Sequence, residues 1–146
     1  MVKQVIQLEK EDADSSGGDD TGTFTRVFVY GTLKKGFGNH HLLAGCEYLG
    51  PCTLGDNYAM VSLGWFPGVV SNDNVVGTIQ GEVYRIPEEV LFSLDILEGH
   101  PDFYKRERVP VTYGDNVQKN AWIYLLNGAY LDSGMGRIAN GNWTGA

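Results

Sequence analysis

A glutamate stands where a predicted helix should end. The stretch EEVLFSLDILEGHPDFYKR, residues 88–106, begins as an amphipathic helix and reaches Glu98 directly before Gly99. The C-terminal end of a helix carries partial negative charge and favours basic residues, so an acid is electrostatically unfavourable there. If Glu98 faces a cleft, the helix end and the loss of solvent both disfavour its charged form and raise its pKa. Such a carboxylate can take up and return a proton, which makes Glu98 a candidate general acid and base.

Other interpretations of this region remain open. A glutamate at a frayed helix end is often simply solvated, and Asp95 is a rival acid that either shares a face with Glu98 or caps a neighbouring loop. The next segment, DFYKRERV, predicts a strand with Tyr104, Arg106 and Arg108 on one face. Tyr104 is either a pocket residue that orients Glu98 or a core aromatic. The two arginines are expected to form surface or structural ion pairs.

A glycine loop is the second candidate element. The segment VYGTLKKG, residues 29–36, overlaps the end of the apolar strand RVFVY. A strand that ends in a glycine turn can present consecutive backbone N–H groups to an anion or a developing oxyanion. The spacing does not match the G-x-x-x-x-G-K-[ST] pattern of a phosphate loop. By itself, a Gly-Thr pair after a strand also fits an ordinary turn.

The elements that must position these residues are mostly strands. RVFVY and GTIQGEVYRI predict strands, residues 48–70 predict several short ones, and RVPVTYG with NAWIYLLN predicts a hairpin. The helix is predicted to have Pro87 at its first position and Gly99 as its C-cap, and a short helix with Asn39 as N-cap follows the glycine loop. The helix should bury one stripe, made of Val90, Leu91, Leu94 and Leu97. The predicted fold class is therefore α+β, a curved or closed, mostly antiparallel sheet with a few helices.

Composition restricts the class of protein. The chain has 146 residues and a net charge of −7, and residues 1–22 are acidic and predicted to form a flexible tail. The domain is predicted over 23–127, with a glycine-rich C-terminal extension over 128–146. Without a basic stripe or an 18-residue apolar run, neither nucleic acid nor a membrane is an expected partner, and a cytoplasmic location is expected. The spacing of Cys46 and Cys52, with His40 and His41, fits no recurrent zinc site.

Four motifs occur together in a specific order. VYGTLKKG, GNHHLL, GEVYRI and LDILEGHPDFYKRERV follow one another in a way that resembles the gamma-glutamylcyclotransferase-like family, and within it the gamma-glutamylamine cyclotransferase branch. The likeness covers about residues 26–127. It implies a small, mostly antiparallel β-barrel flanked by short helices, with a cavity at its mouth.

The resemblance also implies residue roles. Glu98 would be the catalytic acid/base, Tyr104 a pocket residue, and the glycine loop the binding element for the glutamyl end of a small gamma-glutamyl substrate. The loop residues concerned are Tyr30, Gly31, Thr32, Leu33, Lys34 and Lys35. The implied reaction cyclises the glutamyl group of a gamma-glutamyl amine or amino acid and releases 5-oxoproline and the amine, without metal or other cofactor.

Two questions stay open in the sequence. The first is whether the chain is a non-catalytic small-molecule-binding protein of the same fold. The second concerns the segment SLGWFPG, residues 62–68, in which Trp65 and Phe66 either shape the pocket or cover the barrel end.

Overall fold

The structure, a computed structural model, describes residues 24–132 and 134–145. The acidic segment 1–22, predicted as a flexible tail, lies outside the described residues. The described elements are the strands β1 (Phe24–Val29), β2 (Glu47–Leu54), β3 (Tyr58–Ser62), β4 (Pro67–Ser71), β5 (Ile79–Pro87), β6 (Tyr104–Tyr113) and β7 (Gln118–Leu126), the helix α1 (Glu88–Glu98), and two short 3-10 helices (His40–Leu43 and Gly128–Tyr130).

Five strands close into a barrel in the order β1-β5-β2-β6-β7. All neighbours are antiparallel except β1 and β7, which close the barrel as a parallel pair with Val27 beside Trp122. β3 and β4 form a separate two-stranded sheet. The predicted α+β class and small barrel are thus confirmed. Closure also brings the C-terminal ends of β1 and β7 to the same rim, where Tyr104 of β6 pairs with Leu126.

The strands β1 and β7 are buried on both faces over most of their length. Because side chains alternate between the faces of a strand, neighbouring residues such as Val27 and Phe28 belong to different apolar clusters. The cluster that contains Val27 and Trp122 also contains Leu91 and Leu94 of α1. Each of these fully buried leucines contributes about 1.5–3 kcal/mol of burial free energy. The helix is therefore anchored to the sheet by its middle turns, and its last turn reaches beyond this contact.

The helix differs from its prediction in two respects. Pro87 is the last residue of β5 and the extended N-cap, so the helix begins at Glu88 rather than at Pro87. The predicted buried stripe is right for Leu91 and Leu94 but wrong for Leu97, which is 40% exposed. The reason is that the last turn of α1 borders a cavity instead of covering the sheet. Gly99 is the predicted C-cap, with the left-handed φ of 65° that such caps adopt.

Candidate active site

A cavity opens where the end of α1 meets the loop after β1 and the turn between β3 and β4. Its volume is about 380 Å³, which is within the size range of small-molecule sites. Its wall is mainly apolar and aromatic, and Glu98 is the only carboxylic acid among the described residues that form it. These lining residues are Phe28, Val29, Tyr30, Gly31, Thr32, Leu33, Asn39, Trp65, Phe66, Pro67, Leu97, Glu98, Phe103, Tyr104 and Tyr124.

Glu98 is the last residue of α1 and lines this cavity. The amide of Gly99 donates to the Asp95 and Ile96 carbonyls, which ends the helix immediately after Glu98. Within the described part of the chain, no hydrogen bond or ion pair is formed by the Glu98 carboxylate. Burial disfavours its charged form and raises its pKa from 4.5 to about 7. A carboxyl group with this pKa exchanges a proton readily near neutral pH.

Three tyrosines surround the carboxylate. Tyr30, Tyr104 and Tyr124 all line the cavity, and burial is the main cause that raises the pKa of each phenol. The hydroxyl of Tyr104 donates to the carbonyl of Pro67 at 2.6 Å. The hydroxyl of Tyr30 donates to the carbonyl of Tyr124 at 2.6 Å. All three therefore present neutral phenols, with fixed hydrogen-bond directions, beside Glu98.

The glycine loop forms the wall beside the tyrosines. The Lys34 amide donates to the Gly31 carbonyl at 3.0 Å, which makes the tight turn. Asn39 holds Thr32 twice, with its backbone amide to the Thr32 carbonyl and its side-chain amide to the Thr32 hydroxyl, both at 2.9 Å. This bond replaces the predicted capping bond of Asn39, whose side chain does not cap the 3-10 helix. Outside the strand ladders, no described acceptor receives the amides of Gly31, Thr32 or Leu33.

Close packing explains the glycine at position 31. A Cβ at Gly31 would lie 2.8 Å from the ring carbons Cγ and Cδ of Pro67. Any larger residue would separate the loop from β4 or displace the proline ring. The glycine therefore lets the loop backbone approach Pro67, whose carbonyl holds Tyr104.

The two lysines of the loop lie elsewhere. Lys34 is buried, and its ammonium donates to the Trp143 carbonyl at 2.7 Å and to the Asn142 side chain at 3.3 Å. Lys35 is exposed, and its backbone amide donates to Glu82. Neither belongs to the cavity wall. Six loop residues are predicted to bind substrate, and four of them, Tyr30, Gly31, Thr32 and Leu33, line the cavity together with Glu98. The chain turns after Leu33, so the Lys34 side chain contacts the C-terminal segment instead.

Asp95, the rival acid, is already paired. Its carboxylate accepts hydrogen bonds from Arg106 Nε at 2.7 Å, Arg106 Nη2 at 3.1 Å and the Tyr124 hydroxyl at 2.7 Å. Arg106 thus forms the structural ion pair expected of it. Because its oxygens are engaged, Asp95 is a poor proton carrier compared with Glu98.

Several cavity residues were not singled out from the sequence. Pro67, Phe103 and Tyr124 lie in strands or turns far apart in the chain and meet only through barrel closure. Phe103 packs edge-on against Tyr104, with ring centroids 5.0 Å apart, and against Phe66 at 6.1 Å. The FY pair at the start of a strand is the one local signal that could have indicated Phe103. Trp65 and Phe66 both belong to the wall, and Trp65 is 83% exposed at its rim.

Two kinds of feature are absent from the described residues. No three His, Cys, Asp or Glu side chains in residues 24–132 and 134–145 converge as a metal site. In the same residues, no helix has the length and apolar character needed to cross a membrane.

The structure resembles solved members of one family. The solution NMR structure of ytfP from Escherichia coli superposes with a TM-score of 0.61 at 36% identity, covering 81% of this chain and 95% of that one. The crystal structure of an aig2-like protein from Mus musculus has a TM-score of 0.66 at 23% identity and covers 74% of this chain and 80% of that one. The second likeness supports the fold alone.

Sequence comparison gives the family directly. The profile described as "Gamma-glutamyl cyclotransferase, AIG2-like" matches residues 27–145, so it includes the C-terminal segment that the motif resemblance did not reach. The gamma-glutamylcyclotransferase family protein YtfP of Escherichia coli K12 is 36% identical over 118 residues, which are 81% of this chain and 95% of that protein. The chain therefore belongs to the AIG2-like gamma-glutamylcyclotransferase family.

Proposed function

We propose that this chain cyclises the glutamyl group of a gamma-glutamyl amine or gamma-glutamyl amino acid, with Glu98 as the acid/base, and releases 5-oxoproline and the free amine. The observation that carries the proposal is Glu98 itself. Its carboxyl group lies in an apolar-walled cavity, without a partner among the described residues, at a pKa of about 7. Family membership gives the reaction class, and the site supplies a group suited to it.

The reaction needs positioning and one mobile proton. The substrate's α-amine attacks its own γ-carbonyl, so a C–N bond forms and closes a five-membered ring. Because the attack is intramolecular, a cavity that holds the folded conformer supplies much of the acceleration. The old amide C–N bond then breaks and the leaving amine needs a proton. Glu98 takes the proton from the attacking amine and gives it to the leaving amine, so the carboxylate is regenerated and no water is consumed.

The developing negative charge on the carbonyl oxygen needs donors. Gly31, Thr32 and Leu33 line the same cavity, and outside the strand ladders no described acceptor receives their amides. Donors fixed in this way stabilise an oxyanion without reorganising during the reaction. Their turn is held by Asn39, so the loop is pre-formed. Tyr104 completes the wall on the opposite strand, with its proton committed to Pro67.

Release of 5-oxoproline tests the proposal. A panel of gamma-glutamyl-ε-lysine, gamma-glutamylalanine and glutathione should include at least one substrate, and Glu98→Gln should abolish its turnover while keeping the fold. The matched control is Glu89→Gln, an exposed acid on the same helix, which should keep full activity. Turnover that survives Glu98→Gln would overturn the assignment of Glu98. Ligand binding without turnover by the unmodified chain would instead identify a binding protein of this fold.

A further inference from the structure

A largely buried charge pair, Asp95 and Arg106, links α1 to β6 and has no part in the proposed reaction. The Arg106 side chain is only 2% exposed and the Asp95 side chain 17%, and the shortest contact between them is 2.7 Å. The guanidinium also lies 4.3 Å from the centre of the Trp122 ring. The pair is thus fixed by two hydrogen bonds on one side and an aromatic face on the other. In so dry a place, each charge acts strongly on its neighbours.

We infer that Asp95 is a positioning residue for this site, which neutralises Arg106 and directs the Tyr124 hydroxyl, so that Glu98 is not held ionised by a neighbouring cation. The inference rests on the proposed role of Glu98 as acid/base. It adds a device by which the fold maintains that role.

The geometry places the pair next to the acid. Asp95 and Glu98 are three residues apart on α1, and residues at this spacing lie on the same side of a helix with Cβ atoms about 5–6 Å apart. Arg106 holds Asp95, so its guanidinium lies within reach of the same helical turn. The Tyr124 phenol lies within electrostatic range of Asp95, Arg106 and Glu98 together. With Asp95 in place, burial is the cause that raises the pKa of Glu98. Without Asp95, the guanidinium would be an unbalanced buried cation beside the last turn of α1, and such a cation favours the carboxylate.

Among the residues that the structure describes, the other groups lining the cavity around Glu98 carry no competing charge. The titratable groups that face it are the phenols of Tyr30 directly after β1, Tyr104 on β6 and Tyr124 on β7, and burial keeps all three neutral. The β3–β4 turn and the loop after β1 contribute no charged side chain to the described cavity wall. His100 follows the helix, and burial lowers its pKa, which keeps its ring neutral near pH 7. Its Nδ1 accepts the Arg106 backbone amide at 3.2 Å. The Asp95–Arg106 pair is therefore the charged unit that can bias Glu98.

An electrostatic role and a purely structural role of the Asp95–Arg106 pair predict different effects on the Glu98 pKa. Asp95→Asn keeps an acceptor for the Tyr124 hydroxyl but leaves Arg106 unbalanced, so the Glu98 pKa should fall by about 0.5–1 unit. Arg106→Gln leaves Asp95 unbalanced, so the Glu98 pKa should rise by a similar amount. The double variant Asp95→Asn with Arg106→Gln restores neutrality, and the pKa should return close to its original value. A merely structural role would give losses of stability without shifts of opposite sign.

The measurement is an NMR titration of the ¹³C-labelled Glu side-chain carboxyl groups, with Glu98→Gln identifying the Glu98 signal. Asp102→Asn, an exposed acid just beyond the helix, is the matched control and should leave the titration unchanged. If Arg106→Gln does not fold, the inference is still tested by the lowered Glu98 pKa expected in Asp95→Asn and by its return in the double variant. In an active enzyme, the acidic limb of the pH dependence of kcat/KM should move in the same direction as the NMR titration.

An unchanged Glu98 titration in Asp95→Asn would overturn the inference, as would a shift that the double variant fails to reverse. A failure of the proposed function is recognised separately. In that case the unmodified chain releases no 5-oxoproline, while the titration of Glu98 and its response to Asp95→Asn remain measurable.

Discussion

Tyr30 and Tyr124 are 94 residues apart in the chain, yet the hydroxyl of Tyr30 donates a 2.6 Å hydrogen bond to the Tyr124 carbonyl. The same hydroxyl accepts the backbone amide of Val69 at 3.1 Å. One phenol thus joins the end of β1 to β7 of the barrel and to β4 of the separate hairpin. These three elements carry much of the cavity wall, so the bond fixes the relative positions of the parts that would hold a substrate.

Removal of this hydroxyl should destabilise the fold. In Tyr30→Phe the Val69 amide and the Tyr124 carbonyl both lose their partner in a buried place, which should lower the free energy of unfolding by about 1–3 kcal/mol. Tyr104→Phe leaves only the Pro67 carbonyl without a donor and should cost less. Tyr48→Phe, at a 50% exposed tyrosine, should have almost no effect. Urea unfolding of the three variants gives the order, and equal costs for Tyr30 and Tyr104 would contradict the two-bond account.

The contact between Gly31 and Pro67 leads to a second prediction. Gly31→Ala would place a methyl carbon 2.8 Å from the proline ring, so the loop must move away from β4. We expect a stability loss of about 1–3 kcal/mol from this overpacking. We also expect a drop of at least about 10-fold in kcat/KM, because the loop amides would leave the position proposed for binding the oxyanion. Gly38→Ala, in the same loop with open space around its Cβ, is the control. Unaltered turnover in Gly31→Ala would show that the position of this loop does not matter for catalysis.

Local rules predict much of this architecture. The acidic first turn of α1, its glycine cap and the apolar strands all follow from residue type and spacing, and Glu98 is a candidate acid/base because it breaks the electrostatic rule for helix ends. The error at Pro87 is one residue long, since a proline suits both the last residue of a strand and the first turn of a helix. Leu97 follows the helical period but lies at the cavity rim, where no neighbouring element covers it.

The composition of the cavity could not be predicted in the same way. Tyr124 enters the wall only because β1 pairs in parallel with β7, and nothing local to either strand indicates that partner. Lys34 adjoins the YGTL segment, and the motif resemblance predicts it among the residues of the substrate-binding loop. The turn that follows sends its ammonium to the Trp143 carbonyl instead. Long-range pairing and the direction of a side chain after a turn are tertiary properties, which short motifs do not encode.

The charge of the cavity wall should restrict the substrate. Among the described lining residues there is no Lys, Arg or His, so the backbone amides of the loop are the hydrogen-bond donors left for a substrate carboxylate. A gamma-glutamyl amino acid brings a second carboxylate, which would be buried unpaired near Glu98. We expect gamma-glutamylphenethylamine to have a kcat/KM at least about 10-fold above that of gamma-glutamylphenylalanine, from which it differs only by that carboxylate. Competition kinetics measure the ratio, and equal rates would show that the second carboxylate stays outside the apolar wall.

Burial of Glu98 should also make the free energy of unfolding depend on pH. The dependence runs opposite to that of a salt-bridged acid, whose pKa is lowered on folding. Between its ordinary pKa of 4.5 and its raised pKa of about 7, the folded chain keeps a proton that the unfolded chain has released. Stability is therefore lost as pH rises through this window, and the shift corresponds to about 3 kcal/mol at pH 8. Glu98→Gln removes the titration, so it should equal the unmodified chain at pH 4 and exceed its free energy of unfolding at pH 8. Glu89→Gln, at an exposed position of the same helix, should show no such pH-dependent difference. Urea unfolding across pH 4–8 measures the three curves, and a constant difference between Glu98→Gln and the unmodified chain would mean that Glu98 titrates as a solvated acid.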